Sequence, residues 1–381
     1  MRSSEMPTTE RLLLMMLAIA GAIAFAIITP VGEAPDEPAH IGYVQYLARE
    51  WRLPSAPESY DRVNYEAHQP PLGYFAQAAV LRVMAQDGIH LDFRPNPSFD
   101  FNRSGSRAFI HPAGGREARR AVIAMRIVQI GWLLLAMWAS MEVACAIAPA
   151  SQRFAAAYLL APQLLFVTGA VSNDIALIAC ASLTLLLLIR FVNDPSNTRG
   201  AAAGLALTAA LFAKGAALFL GLPIAVAAIM VARRKSWAPA LALIATSCAA
   251  LGVWIGVNVI RFGTIMPPVP TAGSTGTFAD LALRPRWIGS LFVSFWGKFG
   301  WFNTPMPAVT YIWFALLTVV ALLGLRRMRT PAGAVIVSAI AGNLIFIALF
   351  LVMVDWQPQG RYLLPSISAI AALGASGLPR R

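Results

Sequence analysis

Two short stretches near the N-terminus of this 381-residue chain contain the residue types that acid–base chemistry requires. They contribute, in order, Glu33, Asp36, Glu37 and His40, followed by Glu66, His68 and Gln69. A carboxylate in such a cluster can accept a proton from a hydroxyl group. These two stretches are therefore the first candidates for a catalytic site.

Asp36 and Glu37 also suit an ordinary structural role. Pro38 fits the first turn of a helix covering Ala39–Arg49, because the amide hydrogen that proline lacks is not needed there. The acids would then precede or begin that helix, where its dipole favours negative charge. Capping accounts for one acid but not for two adjacent ones with a third acid and a histidine nearby. Both remain candidate general bases, and the sequence does not decide between them.

The second stretch is shaped by proline. Pro70-Pro71 imposes an extended approach to a following helix, so His68 and Gln69 can point back toward the first stretch. We expect these two residues, with His40 and Glu66, to position substrate. The histidines and acids could also hold a cation, but their spacing matches no compact metal motif. We therefore predict no dedicated metal site and leave a role for a divalent cation open.

Four later segments carry polar groups within otherwise apolar sequence. They contribute Asn173 and Asp174, Lys214, Lys298, and Arg361 with Tyr362. Lysine and arginine are suited to binding phosphate, as a point charge and as a fork of donors respectively. Helix capping, snorkelling to the membrane surface and an aromatic belt are the structural alternatives. We expect all six residues to contribute to substrate binding.

The composition indicates an integral membrane protein. The chain is 58% hydrophobic and 13% charged, whereas soluble domains carry about 25% charged residues. The net charge of +12 would suggest nucleic acid in a soluble protein. Here many basic residues stand in short runs between apolar segments, which is typical of cytoplasmic loops. We therefore expect no nucleic-acid partner.

We predict an all-α polytopic fold with about ten transmembrane helices, because a span needs about 20 apolar residues. The apolar segments lie at about Leu12–Thr29, Val122–Ala148, Phe154–Val171, Ile175–Val192, Ala201–Ala213, Ala216–Val231, Ala238–Ile260, Ala308–Leu325, Ala332–Val354 and Leu363–Gly377.

The distribution of basic residues predicts the orientation. With a cytoplasmic N-terminus and ten alternating spans, the basic runs all fall on the cytoplasmic side. Two long extracytoplasmic loops follow, at about 30–121 and 261–307. We expect short interfacial helices in them, at Leu72–Ala85 and Trp287–Trp301. The whole chain, 1–381, is treated as one membrane domain.

Six motifs in this order resemble a known family. They are PDEPAH, EAHQPPLGY, SND, AKG, FWGKFGW and QGRYLLP, spread from about residue 35 to residue 365. Together they resemble the DUF2142 family of polytopic membrane proteins. That family is similar to the GT-C class of membrane glycosyltransferases, which includes the protein O-mannosyltransferases and the aminoarabinose transferases of lipid A.

The resemblance implies an inverting glycosyltransferase in the cytoplasmic membrane of a bacterium. It would move a sugar from a polyprenyl-phosphate donor to a glycan or lipid acceptor on the extracytoplasmic side. The resemblance implies that Asp36 or Glu37 is the general base. It also implies that Lys214 and Arg361 bind the donor phosphate. The expected partners are the lipid-linked donor, the acceptor and membrane lipids.

Two other functions remain as alternatives. A transporter or flippase for a lipid-linked or anionic glycan would place polar groups near the bilayer midplane, in repeated broken helices. No repeat is evident, and only Glu142, Asn258 and Asn343 are polar within or near the predicted spans. A structural or assembly subunit, in which the acids are only helix caps, is the other alternative.

Overall fold

Helices form most of the computed structural model, which describes residues 6–55, 63, 65–84, 91–99, 108–113, 115–234, 236–269 and 275–378. The α-helices of these residues are α1 (Thr8–Ile28), α2 (Glu37–Glu50), α3 (Leu72–Met84), α4 (Arg116–Ile127), α5 (Ile130–Ile147), α6 (Ala156–Leu159), α7 (Pro162–Thr168), α8 (Asp174–Asn193), α9 (Asn197–Ala213), α10 (Gly221–Arg234), α11 (Trp237–Phe262), α12 (Phe278–Leu283), α13 (Arg286–Gly297), α14 (Ala308–Gly324), α15 (Pro331–Met353) and α16 (Ile367–Gly377).

Short 3₁₀-helices and two hairpins complete the described structure. The 3₁₀-helices are Tyr65–His68, Pro149–Ala155, Gly215–Leu220, Leu325–Arg327 and Gly360–Ser366. The antiparallel hairpins pair β1 (Asp92–Pro95) with β2 (Ile110–Ala113), and β3 (Lys298–Phe299) with β4 (Thr304–Pro305). The predicted polytopic helical fold is confirmed, and among the described residues it differs from an all-α fold only in these hairpins of the two long loops.

Seven segments of the described chain are long and apolar enough to cross a membrane. They are Thr8–Ile28, Arg116–Ile147, Asp174–Asn193, Gly215–Arg234, Trp237–Phe262, Ala308–Arg327 and Pro331–Met353. Each overlaps one of the ten predicted spans. The predicted number of ten is not confirmed, because the other three segments are helical but shorter.

The three shorter segments have identifiable causes. Residues 154–171 are divided between the end of a 3₁₀-helix, α6 and α7, and Pro162 begins α7 at a position where proline cannot continue a preceding helix. The helix α9 has 17 residues. Pro365 lies within the 3₁₀-helix that precedes α16, which itself has only 11 residues. Hydropathy predicts the apolar character of these segments but not their breaks.

Contacts between distant segments join helix ends on the side opposite the two long loops. Arg11 Nη1 lies 2.7 Å from Glu142 Oε1, and Ser151 Oγ donates to the carbonyl of Ala375 at 2.7 Å. Arg327 Nη1 donates to the carbonyl of Ser376. These polar contacts hold α1, α5 and α16 at one end, away from the acidic stretches.

The first long loop and the start of the segment Arg116–Ile147 form a small helical layer. Helices α2, α3 and α4 pack around a cluster that includes the buried side chains Tyr43, Tyr74 and Met125. The predicted segments Leu72–Ala85 and Trp287–Trp301 overlap helices α3 and α13 respectively. Their placement at the membrane surface stays a prediction.

Helix α8 lies at the centre of the membrane domain. Most of its residues are buried, and it packs against α5, α9 and α15. Its first residue is Asp174, preceded by the buried Asn173. The central position of α8 therefore fixes two of the predicted site residues against the surrounding helices.

Gly169 permits the close approach of α7 to α1. A Cβ atom at this position would lie 2.7 Å from the backbone nitrogen of Ala26 and 2.9 Å from the carbonyl oxygen of Ala22. Backbone atoms cannot move aside as a flexible side chain can. Gly131, in α5, has open space around the same position. The two glycines form a matched pair for measuring this contact.

We expect Gly169→Ala to lower the free energy of unfolding by roughly 1–3 kcal/mol, since overpacking forces the backbone apart. Gly131→Ala should leave it unchanged or raise it by up to about 1 kcal/mol, because alanine favours helix. Thermal unfolding of the purified proteins in detergent measures both. Equal midpoints for the two variants would contradict the α1–α7 contact.

Candidate functional site

Four charged side chains from four separate segments form a continuous chain of ion pairs. Arg361 Nη2 lies 2.5 Å from Asp36 Oδ2, and Arg361 Nη1 lies 3.8 Å from Asp174 Oδ2. The other carboxylate oxygen of Asp174 is 2.6 Å from Lys214 Nζ. The order is therefore Asp36, Arg361, Asp174, Lys214, with alternating charge. We call these four residues the charged chain.

Helix termini position every member of the charged chain. Asp36 immediately precedes α2, Asp174 begins α8 and Lys214 follows α9. Arg361 lies in the 3₁₀-helix Gly360–Ser366, which approaches α13 so closely that a Cβ atom on Gly360 would collide with the backbone of that helix. Close packing of this kind fixes the guanidinium group beside the two acids.

Glu37 has a different environment from its neighbour Asp36. Its side chain is fully buried and forms a two-pronged ion pair with Arg126, through Nε to Oε1 at 2.8 Å and Nη2 to Oε2 at 2.6 Å. The backbone nitrogens of Gly32 and Val171 donate to the same two oxygens at 2.8 and 2.9 Å. Both carboxylate oxygens therefore have two donors each.

Arg126 also accounts for the path of the chain between α1 and α2. Its Nη1 donates to the carbonyls of Ala26 and Thr29 at 2.9 and 2.6 Å, and its Nη2 donates to that of Pro30 at 3.1 Å. These carbonyls lie at the C-terminal end of α1, where helices leave acceptors unsatisfied. The pair of Arg126 with Glu37 thus ties α1, α2 and α4 together directly beside Asp36.

Asp36 is more accessible than Glu37. Its side chain is 26% exposed, and the residue has a φ of 61°, a left-handed conformation that aspartate tolerates better than most residues. Tyr65 Oη donates to its Oδ1 at 3.1 Å. Burial opposes ionisation, but the neighbouring positive charges, of which Arg361 is the strongest, together outweigh this effect, so the pKa of Asp36 lies below its ordinary value. Asp36 is therefore ionised at neutral pH.

His40 and Glu66 lie next to Asp36. One potential ligand atom from each of these three residues lies within 4.8 Å of the others. Tyr74 Oη is hydrogen-bonded to His40 Nδ1 at 2.7 Å, and burial lowers the pKa of His40, which favours the neutral ring. Glu66 is 6% exposed, and its Oε2 has no hydrogen-bond partner among the described residues.

His68, Gln69 and Asn173 form a second polar group. His68 Nδ1 donates to the carbonyl of Tyr65 at 2.9 Å, and burial lowers the pKa of His68 to about 4, so the imidazole is neutral at physiological pH. Asn173 Nδ2 donates to Gln69 Oε1 at 3.0 Å. The buried Asn173 Oδ1 has no hydrogen-bond partner within the described part of the chain. Arg261 Nη1 donates to the carbonyl of Gln69 at 3.3 Å.

A cavity of about 800 Å³ meets the charged chain at one end. Polar residues line this end: His68, Gln69, Asp174, Lys214, Arg361 and Tyr362. The remaining wall is almost entirely apolar and comes from α8, α10, α11, α15 and the 3₁₀-helix before α10, with Leu177, Trp254 and Phe346 among its residues. The cavity therefore combines a long apolar wall with two cations at its head. An amphiphile with an anionic headgroup fits this distribution.

Lys298 is separated from this arrangement. It begins the hairpin of β3 and β4, and its backbone nitrogen donates to Gln163 Oε1 at 2.9 Å. Among the described residues, no hydrogen bond or ion pair joins Lys298 to the charged chain, and Lys298 does not line the cavity. Partial burial lowers the pKa of its ammonium group. The other predicted site residues belong to the charged chain, to its immediate neighbours or to the Glu37 pair.

Sequence reasoning missed three residues that shape the site. Arg126 and Arg261 are not among the predicted site residues, yet both are buried. Phe302 has a φ of 59°, and its ring faces the guanidinium carbon of Arg361 at 5.6 Å. A single arginine within a predicted span, as in Arg126, was the available signal, because charge there requires a partner.

Comparisons with known proteins agree with this fold. The family model described as "Predicted membrane protein (DUF2142)" matches residues 108–370. No curated protein matches the chain.

Two kinds of solved structure are similar to this chain. The crystal structure of ArnT from Cupriavidus metallidurans bound to undecaprenyl phosphate has a TM-score of 0.60 at 15% identity, and the match covers 96% of this chain and 59% of that one. The oligosaccharyltransferase of Archaeoglobus fulgidus tethered to an acceptor peptide has a TM-score of 0.50 at 13% identity, over 96% of this chain and 49% of that one. Both neighbours are GT-C glycosyltransferases, so the fold is GT-C-like. The chain spans about half of their length.

The two adjacent acids should differ sharply when each is neutralised. Glu37→Gln leaves the buried Arg126 without its counter-ion, which should cost roughly 3–5 kcal/mol of stability. Asp36→Asn should cost much less, because its side chain is partly exposed and Arg361 keeps Asp174 as a neighbour. Thermal unfolding in detergent compares the variants. The environments are assigned wrongly if Asp36→Asn proves to be the more destabilising change.

Proposed function

Because the chain belongs to the DUF2142 family and has a GT-C-like fold, we propose that it is an inverting glycosyltransferase that uses a polyprenyl-phosphate sugar donor. The acceptor would be a glycan or lipid of the cell envelope, and the site would face the extracytoplasmic side of a bacterial cytoplasmic membrane. One observation carries the proposal: the cations of the charged chain stand at the head of a long apolar cavity.

The cavity suits a lipid-linked donor in both its parts. Its apolar wall can accommodate isoprenoid units, and Lys214 and Arg361 can bind a phosphate. Both cations are now neutralised by carboxylates, Lys214 by Asp174 and Arg361 by Asp36 and Asp174. A phosphate would compete with these acids for the same donors. Undecaprenyl phosphate and dolichol-phosphate are named in the structures of ArnT and the archaeal enzyme AglB, which supports this class of partner.

The proposed reaction is a single displacement at the anomeric carbon. The acceptor hydroxyl oxygen forms the new bond while the bond from the anomeric carbon to the phosphate oxygen breaks, which inverts the configuration. The leaving polyprenyl phosphate gains negative charge, and Lys214 and Arg361 stabilise it in place. The hydroxyl proton passes to Asp36, which is ionised and partly exposed.

Asp36 rather than Glu37 is the base in this proposal. All of the hydrogen-bonding capacity of Glu37 is engaged by Arg126 and two backbone nitrogens. Asp36 instead contacts Arg361, so a phosphate that binds this arginine would change the electrostatic environment of Asp36. His68 and Gln69 line the cavity head and would position the sugar, together with Tyr362. Lys298 would act on more distant parts of donor or acceptor.

The polar residues within or near the spans do not form a second site. Asn258 Nδ2 donates to the carbonyl of Ile265 at 3.2 Å, and Asn343 Nδ2 donates to Ser366 Oγ at 3.0 Å. Glu142 pairs with Arg11 at the opposite end of the helices. Internal hydrogen bonds account for all three residues, which favours transfer at one face over passage through the midplane.

The decisive variant is Asp36→Asn. We expect it to lower the rate of sugar transfer by about 100- to 10,000-fold, because the amide cannot accept the proton. Transfer from a polyprenyl-phosphate sugar by purified protein in liposomes measures this rate. Unchanged transfer would show that Asp36 is not the base, and translocation of the lipid without transfer by the unaltered protein would indicate a flippase instead.

The cations should act on the donor rather than on the proton. We expect Lys214→Gln and Arg361→Gln each to weaken binding of undecaprenyl phosphate by at least about 10-fold, since a charge-assisted contact contributes roughly 1.5–3 kcal/mol. Arg190→Gln removes an arginine near Glu142 at the other end of the protein and serves as the control. Equal affinities for all three variants would contradict the proposed phosphate position.

A further inference from the structure

The backbone that carries His68 and Gln69 is held firmly at the head of the cavity. Both residues line the cavity. Arg261 donates to the carbonyls before and after His68, through Nη2 to that of Ala67 at 2.8 Å and through Nη1 to that of Gln69 at 3.3 Å. Tyr43 Oη also donates to the carbonyl of Gln69, at 3.0 Å. Because the main chain is fixed in this way, the hydrogen bonds of the two side chains decide which polar atoms they present to a ligand.

A backbone carbonyl determines the tautomer of His68. The Nδ1 atom lies 2.9 Å from the carbonyl oxygen of Tyr65, which can only accept, so Nδ1 carries the proton. The ring is neutral at physiological pH, because burial lowers its pKa. Nε2 therefore has a lone pair and no proton, and it has no hydrogen-bond partner among the described residues. His68 thus offers the cavity an acceptor.

A second backbone carbonyl sets the polarity of the Gln69 side chain. Asn173 Nδ2 donates to the carbonyl of Ala213 at 3.2 Å and to Gln69 Oε1 at 3.0 Å. Because a carbonyl can only accept, the amino group of Asn173 must face Ala213, and the oxygen of Gln69 must then face that amino group. Gln69 Nε2 remains without a hydrogen-bond partner within the described part of the chain. Gln69 thus offers the cavity a donor, whereas Asn173 is fully buried and does not line the cavity.

An acceptor and a donor on consecutive residues suit a hydroxyl group, which donates one hydrogen bond and accepts others. An ionised phosphate suits them less well, because it has no proton to donate to His68 Nε2. The cations Lys214 and Arg361 line the same head of the cavity and provide for a phosphate there. A sugar linked to that phosphate would therefore begin beside His68 and Gln69.

We propose that His68 and Gln69 select the donor sugar by binding one of its hydroxyl groups, with His68 Nε2 as the acceptor and Gln69 Nε2 as the donor. Asn173 is then a positioning residue, which contacts no substrate and keeps the donor end of Gln69 toward the cavity. The inference rests on the proposed function and names what its site recognises in the sugar. A sugar that lacks this hydroxyl group is disfavoured, because both polar groups of the site would be left unpaired.

The test compares lipids of equal charge that differ only in the sugar. Microscale thermophoresis of purified protein in detergent measures the affinity for undecaprenyl methyl phosphate, a diester without hydroxyl groups. It also measures the affinity for the undecaprenyl phosphate diesters of glucose, galactose, mannose and arabinose. We expect the unaltered protein to bind at least one sugar diester about 10-fold or more tightly than the methyl diester. The ratio of these two affinities is called the sugar preference.

Gln69→Met and His68→Phe should each lower the sugar preference by about 3- to 10-fold, the contribution of one hydrogen bond. His68→Gln should retain most of it, because the amide oxygen can replace Nε2 as the acceptor. None of the three should change the affinity for the methyl diester. Gln152→Met alters a buried glutamine beside Arg11, at the other end of the helices, and serves as the control.

Asn173→Leu separates positioning from a general structural role. In the unaltered background it should lower the sugar preference, because the Gln69 amide is then free to turn its oxygen toward the cavity. In the Gln69→Met background it should have no further effect, since no amide remains to be oriented. A loss of equal size in both backgrounds would show that Asn173 does not act through Gln69.

Thermal unfolding of every variant without lipid confirms that each is folded. The inference is overturned if the unaltered protein has no sugar preference for any of the four sugars, or if Gln69→Met and His68→Phe leave the preference intact. It is also overturned if these variants weaken the methyl diester equally, since the two residues then contact the phosphate. In all of these cases the methyl diester still binds, and the proposed function survives. Failure of the unaltered protein to bind any of these lipids would instead contradict the proposed function and this inference with it.

Discussion

The ion pair between Glu37 and Arg126 is the contact on which the position of the site depends. A buried pair of this kind survives only when every lone pair and donor is satisfied. Here two backbone nitrogens complete the carboxylate, and three carbonyls from the end of α1 and the residues after it complete the guanidinium. The pair thereby fixes the chain from α1 to α2. Asp36, one residue away, is held in its left-handed conformation next to Arg361 as a consequence.

The Glu37–Arg126 pair also holds the charged chain in place, and the cations of the charged chain are neutralised without a bound ligand. These cations are neutralised by acids from different segments, so each is stable without ligand and still reaches the head of the apolar cavity. An incoming phosphate would replace a carboxylate as the partner of Lys214 or Arg361, so neither cation would be left without a counter-ion. Exchange of this kind would free Asp36 from Arg361 when the donor arrives, which couples donor binding to the availability of the proposed base.

The sequence predicted the architecture well because an apolar segment of about 20 residues is rarely anything but a membrane span. It could not predict the number of full spans, since α9 and α16 are too short to qualify and are held by packing. The loop positions placed Asp36, Asp174, Lys214 and Arg361 on one side, but which pairs form depends on helix rotation. Arg126 was missed because its partner is 89 residues away.

The most direct measurement is a cryo-electron microscopy structure of the protein with undecaprenyl phosphate bound. The account predicts the phosphate at about 3 Å from Lys214 Nζ and the Arg361 guanidinium. The isoprenoid chain should lie along the apolar wall that includes Leu177 and Phe346. Density for the phosphate at another place, with Lys214 still on Asp174 and Arg361 still on Asp36, would contradict it.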